Sequence, residues 1–557
     1  LAEPQLGVVA AGHELTAQVG ADTLRAGGNA VDAAVAAALA SFVCEPLLTG
    51  LGAGGYMLVT APGRAAVLLD FFVEAPGRGA DAASRAELIP ITVSFGDALQ
   101  VFNIGAASVG TYGTPAGIHA AAARFGRLPL GQLVEPAARL ARQGVAVNAQ
   151  QAYVFEILAE IVRSTPECAA LFAARGGPPR VGDVVCQPEL ADALERLASE
   201  GPAPFYTGDV AAAIVRWVGE RGGMLTAADL AAYRVIDREP VSVSYRGRQV
   251  LTNPPPSAGG ILIARALTAL AAAPGPPDVA RLVEVMEGIQ AERTPEFLAG
   301  LHEPGFGGRF LAGGGRSGAG GGRGSLSVSG EGAPGAGGPP ARSPGRGGPA
   351  RSPGRGGPTR SPGRGGSRSP GRGWPSLGST THISVLDSEG WACSVTCSNG
   401  SCSGVVVPGT GIHLNNMLGE QDLNPLGFHR HPPGRRLPSM MAPTVVMRDG
   451  VAELVLGSAG SNRIRSAILQ TIIRVVDDGL RAGEAVVAPR VHYEDGVVYA
   501  EPGVDTSGLE SSGRAIARFR ELNLFFGGVQ AVERDPAGRF WGGGDPRRGG
   551  AAVVVTG

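Results

Sequence analysis

The stretch "GSTTHISVLD", residues 378–387, separates two kinds of chain. Before it runs a tract of Gly, Pro, Ser and Arg with nothing from which to build a core. After it, apolar and polar residues alternate, and "THISVLD", the turn "SEG" and "WACSVTC" spell a β-hairpin. Ordered chain thus begins at Thr380, hard against the tract. A Thr hydroxyl within a chain is a weak nucleophile. As the first residue of a chain it gains a base, because its own α-amine, with a pKa of about 7.7–8.0, takes the hydroxyl proton near neutral pH. Cleavage of the Ser379–Thr380 bond would create that arrangement, and the tract leaves room for the new terminus. By itself the same stretch also reads as an ordinary Thr-rich strand start.

Downstream, "APTVVMR", the turn "DG" and "VAELVLG" predict a second hairpin. "SAGSNRIRSAILQTIIRVV" then starts with small residues and continues as a helix, with Ile464, Ile468, Ile472 and Val476 on one face. In this strand–turn–helix the N–H groups of Gly460 and Ser461 precede the first helical turn and lack helical acceptors. Such groups can hold a developing oxyanion, although most turns of this kind do nothing catalytic.

Upstream, residues 1–302 mix helices and strands. "HELTAQVGADTLRAGG" has helical spacing and stops at Gly27 and Gly28. Asn29 caps "AVDAAVAAALASF", with Asp32 in its first turn. "GYMLVT" and "AAVLLDFF" read as strands around a Pro-Gly turn, and "LVEPAARLARQGVAV", "VAAAIVRWVGERGG" and "ILIARALTALAAA" as helices. Three regions result: a mixed region 1–302, an arm 303–379, and an ordered region 380–557. The arm carries the motif "RSPGRGGPA" from Arg342, Arg351, Arg360 and, shortened, Arg368. With no acid between Glu331 and Asp387, it reads either as repeat expansion in a tolerant loop or as a local polyanion-binding segment.

Composition narrows the function classes. The net charge is −1 and every basic residue is Arg, so no global polyanion-binding signal exists and nucleic acid is not an expected partner. Cys44, Cys168, Cys186, Cys393, Cys397 and Cys402 form no C-x-x-C pair and no disulfide framework, and the last three, on strand-like alternation, read as small buried side chains, with a metal or redox site as the alternative. "GLGAGG" at 50–55 fits a dinucleotide fingerprint in letters alone, since a helix precedes it and a strand follows. His429 and His431 lack ligand partners at metal spacing. No metal and no cofactor are expected. No run is long enough to span a bilayer, and no leader pattern opens the chain. These features lean to the cytoplasm, with a secreted or periplasmic location open if residues precede Leu1.

The chain resembles the γ-glutamyltranspeptidases, self-processing members of the N-terminal-nucleophile hydrolases. The matching segments run in order: "QVGADTLRAGGNAVDAAVA" (18–36), "GLGAGGYMLV" (50–59), "YGTPAGIHA" (112–120), "NPPPSAGGI" (253–261), "TTHISVLD" (380–387), "GIHLNN" (411–416), "GSAGSNRI" (457–464) and "GGDPRRGG" (543–550). The resemblance implies an α/β (α+β) fold, a four-layer αββα sandwich built from both halves of a self-cleaved precursor. It implies cleavage at Ser379–Thr380 into two subunits that stay together. Thr380 would then attack a small γ-glutamyl amide such as glutathione, with Gly460 and Ser461 N–H groups as the oxyanion hole. Water or an amino acid would accept the acyl group.

The resemblance also assigns the substrate contacts, less closely. Ser398 falls where the family has a hydroxyl beside the nucleophile, and Asn399 is one position from the family's Asn, which is Gly400 here. The acid for the substrate α-amine is Asp422, with Glu420 the alternative. The Ser-Ser pair for the α-carboxylate becomes Ser439 and Met440. The Arg that clamps this carboxylate in the family is replaced by Phe72 in "DFFVEAP", and Phe cannot hold a carboxylate. The resemblance therefore leaves two enzyme readings, a γ-glutamyl hydrolase/transferase and a related acylase with another acyl donor, as in the cephalosporin acylases. A third, of another class, is a non-catalytic protein that binds nucleic acid through the arm.

Overall fold

The computed structural model describes residues 4–81, 85–94, 99–173, 176–313, 380–510 and 513–557. The Arg-rich repeats and the Ser379 side of the expected cleavage bond lie outside the described residues. So does any nucleic-acid-binding role of the repeats. Residues Phe306–Ala312 form a helix, so the arm's expected start at 303 is corrected to beyond Gly313. Phe306 and Phe310 pack on Phe297, which gives this segment the apolar anchors that the repeats lack.

Two antiparallel sheets pack face to face. The first has seven strands in the order Ala551–Thr556, Gln5–Ala11, Thr380–Asp387, Ala392–Ser398, Gly54–Thr60, Val67–Phe71, Ile236–Arg238. The second has six: Phe540–Gly544, Gly528–Arg534, Val451–Ala459, Thr444–Arg448, Arg248–Thr252, Val241–Tyr245. Helices Glu14–Arg25 and Ala30–Cys44 cover the outer face of the first sheet, and Ala258–Ala271 and Arg463–Val476 that of the second. The expected αββα layering is present, and strands from 1–302 and 380–557 are interleaved in both sheets.

Local chemistry explains these elements. Asn29 accepts from the N–H groups of Val31 and Asp32 while Asp32 accepts from Asn29 N–H, a reciprocal cap. The helix it starts is alanine-rich and buried along its whole length, and small side chains let it lie close to sheet and neighbouring helix. Gly20 serves the same approach, since a Cβ there would come within 3.2 Å of the Ala33 carbonyl oxygen. Asp387 ends the Thr380 strand by accepting from Glu389 and Trp391 N–H within the hairpin. Its other oxygen accepts from Ala30 N–H at 2.9 Å, at the N-terminus of the buried helix. Two motifs far apart in sequence thus meet at one carboxylate. The glycines at 52, 54 and 55 allow close packing: a Cβ on Gly55 would lie 2.5 Å from the Thr396 carbonyl oxygen.

Candidate functional site

The Thr380 strand pairs with Ala392–Ser398 in a register that sets Thr380 opposite Ser398, His382 opposite Thr396 and Ser384 opposite Ser394. Side chains alternate across a strand, so these six polar residues share the face turned to the second sheet. Three of them bolt the sheets together. Ser384 Oγ donates to the Gln530 carbonyl at 3.0 Å, and Ser394 Oγ to the Leu456 carbonyl at 3.1 Å. His382 fills the space left by Gly457, where a Cβ would meet the imidazole at 2.2 Å. Its ring nitrogens face Thr396 Oγ1 at 2.8 Å and Ser384 Oγ at 3.0 Å. Burial pushes the His382 pKa down to about 3, so it is neutral at physiological pH and serves as a cross-sheet hydrogen-bonding group.

At the open end of this row Thr380 Oγ1 donates to Ser398 Oγ at 3.1 Å, and Gly400 N–H donates to the same oxygen at 3.1 Å. Thr380 and Ser398 are each only 4% exposed. Gly400 has φ 69°, and a Cβ there would lie 2.0 Å from Asn416 Oδ1. A side chain at 400 would have to displace the Asn416 amide, and the Asn that follows Ser398 points elsewhere. Asn399 Nδ2 donates to the His413 carbonyl at 3.1 Å, on the other side of the strand end. Asn399 is thus not brought to the cavity; the strand alternation that presents Ser398 turns it away.

One cavity joins most of the other expected residues to Thr380. Phe72, Ser398, Glu420, Asp422, Ser439, Met440 and Ser461 all line it. Gly460 adjoins it at the end of the strand Val451–Ala459, with φ 116°, and Ser461 follows at φ 53°. This left-handed pair turns the chain sharply before the helix Arg463–Val476. The Ser461 hydroxyl donates to Asp422 Oδ2, and Asn462 Nδ2 donates to Asp422 Oδ1 at 3.1 Å and to Glu494 Oε1 at 2.6 Å. Asp422 therefore braces the turn as well as facing the cavity. Glu420 accepts from the N–H and hydroxyl of Ser401, each at 2.9 Å. Burial raises both acids, Glu420 to about 7.

The remaining wall is apolar. Phe72 stacks on Tyr56 with ring centroids 5.3 Å apart. Met417, Met441, Leu423 and Ile464 join Met440; of these, Met441, Leu423 and Ile464 gave no sequence signal beyond apolarity. Ser439 is fixed by neighbours: its Oγ accepts from Met441 N–H at 2.9 Å, and its carbonyl accepts from Ser257 Oγ at 2.9 Å. On the opposite face of the Thr380 strand, Thr381 Oγ1 lies 3.0 Å from both oxygens of Glu45. Burial lifts the Glu45 pKa to about 7. This pair was not legible in sequence, because 336 residues separate its members.

Among the described residues, no group of His, Cys, Asp and Glu is arranged to hold a metal ion. Nor is any helix there long and apolar enough to cross a membrane. His431 packs edge-on to His302 with centroids 5.9 Å apart. Cys393, Cys397 and Cys402 are buried, and burial raises their thiol pKa values.

Comparison with known proteins fits this layout. A profile of the Gamma-glutamyltranspeptidase family matches residues 16–299 and 359–555. The glutathione hydrolase proenzyme of Escherichia coli K12 is 31% identical, over 97% of this chain and 90% of its own length. The acylase ACY 1 proenzyme of Pseudomonas sp. strain V22 is 30% identical, over 99% of this chain and 94% of its own. A cephalosporin acylase from Bacillus halodurans matches in structure with a TM-score of 0.77 at 25% identity, covering 100% of this chain and 97% of that one. With most of its length matched on both sides of the Arg-rich tract, the chain belongs to the γ-glutamyltranspeptidase family of enzymes.

Proposed function

We propose that this protein cleaves itself before Thr380 and then hydrolyses or transfers the acyl group of small amides through the Thr380 hydroxyl. The observation that carries this reading is the Thr380 Oγ1–Ser398 Oγ contact at 3.1 Å, in a cavity that also contains the Ser461 turn. In the precursor, Thr380 Oγ attacks the Ser379 carbonyl carbon, the C–N bond breaks, and the hydroxyl proton passes to the departing Thr380 nitrogen. Water hydrolyses the resulting ester, which releases the Ser379 carboxylate and restores the Thr380 hydroxyl beside the free α-amine. In the mature enzyme this amine takes the Thr380 proton as Oγ attacks the substrate carbonyl. The N–H groups of Gly460 and Ser461 receive the negative charge on the carbonyl oxygen. Collapse expels the substrate amine, which takes the proton, and leaves an acyl ester on Thr380. Water or an amine then accepts the acyl group.

The family relationship favours γ-glutamyl amides such as glutathione as donors. A second reading, an acylase with another donor, is favoured by Phe72 and Met440 in the cavity wall. The test of the shared chemistry is the purified full chain on a denaturing gel, with N-terminal sequencing of the smaller band. A fragment beginning Thr-Thr-His-Ile, together with turnover of an acyl anilide, is expected. A single uncut and inactive chain would sink the reading.

A further inference from the structure

The side chains that wall the Thr380 cavity have an uneven charge. Two acids, Glu420 and Asp422, face it, and among the described residues no Arg or His lines it. Met417, Met440, Met441 and Phe72 supply apolar surface. The nearby arginines are engaged elsewhere. Arg436 donates to the Phe72 carbonyl, to Tyr233 Oη at 2.6 Å and to the Arg234 carbonyl at 2.7 Å, and its Nε is 3.3 Å from Asp70. Arg463 donates to the Phe525 carbonyl at 3.2 Å and stacks over the Phe525 ring, with Nη1 3.7 Å from Glu494. Arg465 donates to Gln290 and to the Asn462 carbonyl, and Arg293 to Asn462 Oδ1 at 3.2 Å. None of these guanidinium groups reaches the cavity wall.

We infer that the donor acyl group carries an amine and no carboxylate, so that the preferred substrates are amides of short amino acids of the 4-aminobutyryl type. The inference rests on the Thr380 reading and refines its substrate. A carboxylate entering this cavity would be desolvated beside two acids with no cation to pair it. An ammonium entering it meets the same two acids as partners. Burial makes each acid costly as a lone anion, and a bound ammonium relieves that cost. The methylenes of the acyl chain lie against Phe72 and the methionines, which adapt to an unbranched chain.

Four 4-nitroanilides separate the contributions: 4-aminobutyryl, γ-glutamyl, glutaryl and butyryl. The first three differ only in whether the far end carries an amine, an amine and a carboxylate, or a carboxylate. The probe is the self-processed full chain, against an enzyme-free control for spontaneous lactam formation. The expected order in kcat/KM is 4-aminobutyryl above γ-glutamyl, with glutaryl lowest and at least about tenfold below the first. Asp422→Asn or Glu420→Gln should lower the ratio of 4-aminobutyryl to butyryl turnover. A γ-glutamyl or glutaryl rate equal to or above that of 4-aminobutyryl would overturn the inference and leave the Thr380 chemistry standing. Equal rates for 4-aminobutyryl and butyryl would do the same. No release from any of the four would overturn both.

Discussion

Arg436 donates through Nη1 to the carbonyl oxygen of Phe72, so a buried guanidinium is tethered to the backbone of a residue that lines the Thr380 cavity. It is held there by Asp70 and Tyr233 as well, with its Cζ 4.7 Å from the centroid of the Tyr233 ring. A buried cation with this many partners does not leave them for a substrate without losing its ion pairs to Asp70 and Glu74, which would keep only Arg238 and Arg78. The cavity therefore presents the apolar Phe72 side chain, while the guanidinium bonded to that residue's carbonyl does not line the wall.

That arrangement makes Phe72 the residue to change. Phe72→Arg should place a guanidinium in the cavity and raise γ-glutamyl turnover relative to butyryl turnover by about tenfold, the scale of one charge-assisted hydrogen bond. The measurement is kcat/KM for the two anilides. An unchanged ratio with intact self-cleavage would show that position 72 does not face the donor's far end.

Thr380→Ala should abolish both cleavage and turnover, because one hydroxyl serves both reactions. The expected loss in kcat is at least about 10³-fold, the scale of removing a nucleophile. A gel reads the first effect and anilide release the second. A Thr380→Ala chain still cut before residue 380 would exclude self-processing by this hydroxyl.

Ser398→Ala removes the acceptor of the Thr380 hydroxyl and of Gly400 N–H. The cost should be about 1–2 kcal/mol in the barrier, roughly five- to thirtyfold in kcat, with little change in Tm. A kcat within twofold of the parent would remove Ser398 from the catalytic arrangement.

Glu45 binds a proton in the folded state at pH values where a glutamic acid of an unfolded chain, with a pKa of about 4.3, has lost it. The stability it contributes is whole below that unfolded value and is lost as pH rises through about 7. Its neighbours are the Thr381 hydroxyl and, in the cavity on that face, His13, Arg547 and Arg548. Glu420 has the same sign, so one substitution reduces the effect without removing it. Glu45→Gln keeps a partner for Thr381 and should show a smaller fall in Tm between pH 5 and pH 8 than the parent. An equal fall would mean that Glu45 is ionised throughout.

Gly457→Ala should destabilise the fold by about 1–3 kcal/mol, because its Cβ would sit 2.2 Å from the buried His382 ring. Thermal unfolding of the Thr380→Ala chain with and without the change measures this on an uncut background. No shift in Tm would mean that the sheets separate there at little cost.

Several parts of this protein were written in local sequence. The cap at Asn29, the hairpin around Ser388–Gly390, the turn at Gly460 and the helix after it each depend on residues a few positions apart, and local chemistry reads such spacing directly. The alternation of 380–387 even set which residues share a face with Thr380, since a strand leaves no other choice. The arm's true start was less legible, because Phe306 and Phe310 gain order only by packing on Phe297 in the folded chain. What Thr380 faces was decided by tertiary structure alone. Ser398 depends on strand register, Phe72 and Met440 come from different sheet ends, and Glu45 reaches Thr381 across 336 residues. Asn399 departs from expectation for the same reason: its type fits a binding role, but its place in the alternation turns it toward the His413 carbonyl. Sequence thus singled out Thr380 as the group proposed to react, because the motif around it is local. The fold decided what it reacts with, because the charge of a cavity is the sum of side chains that only folding brings together.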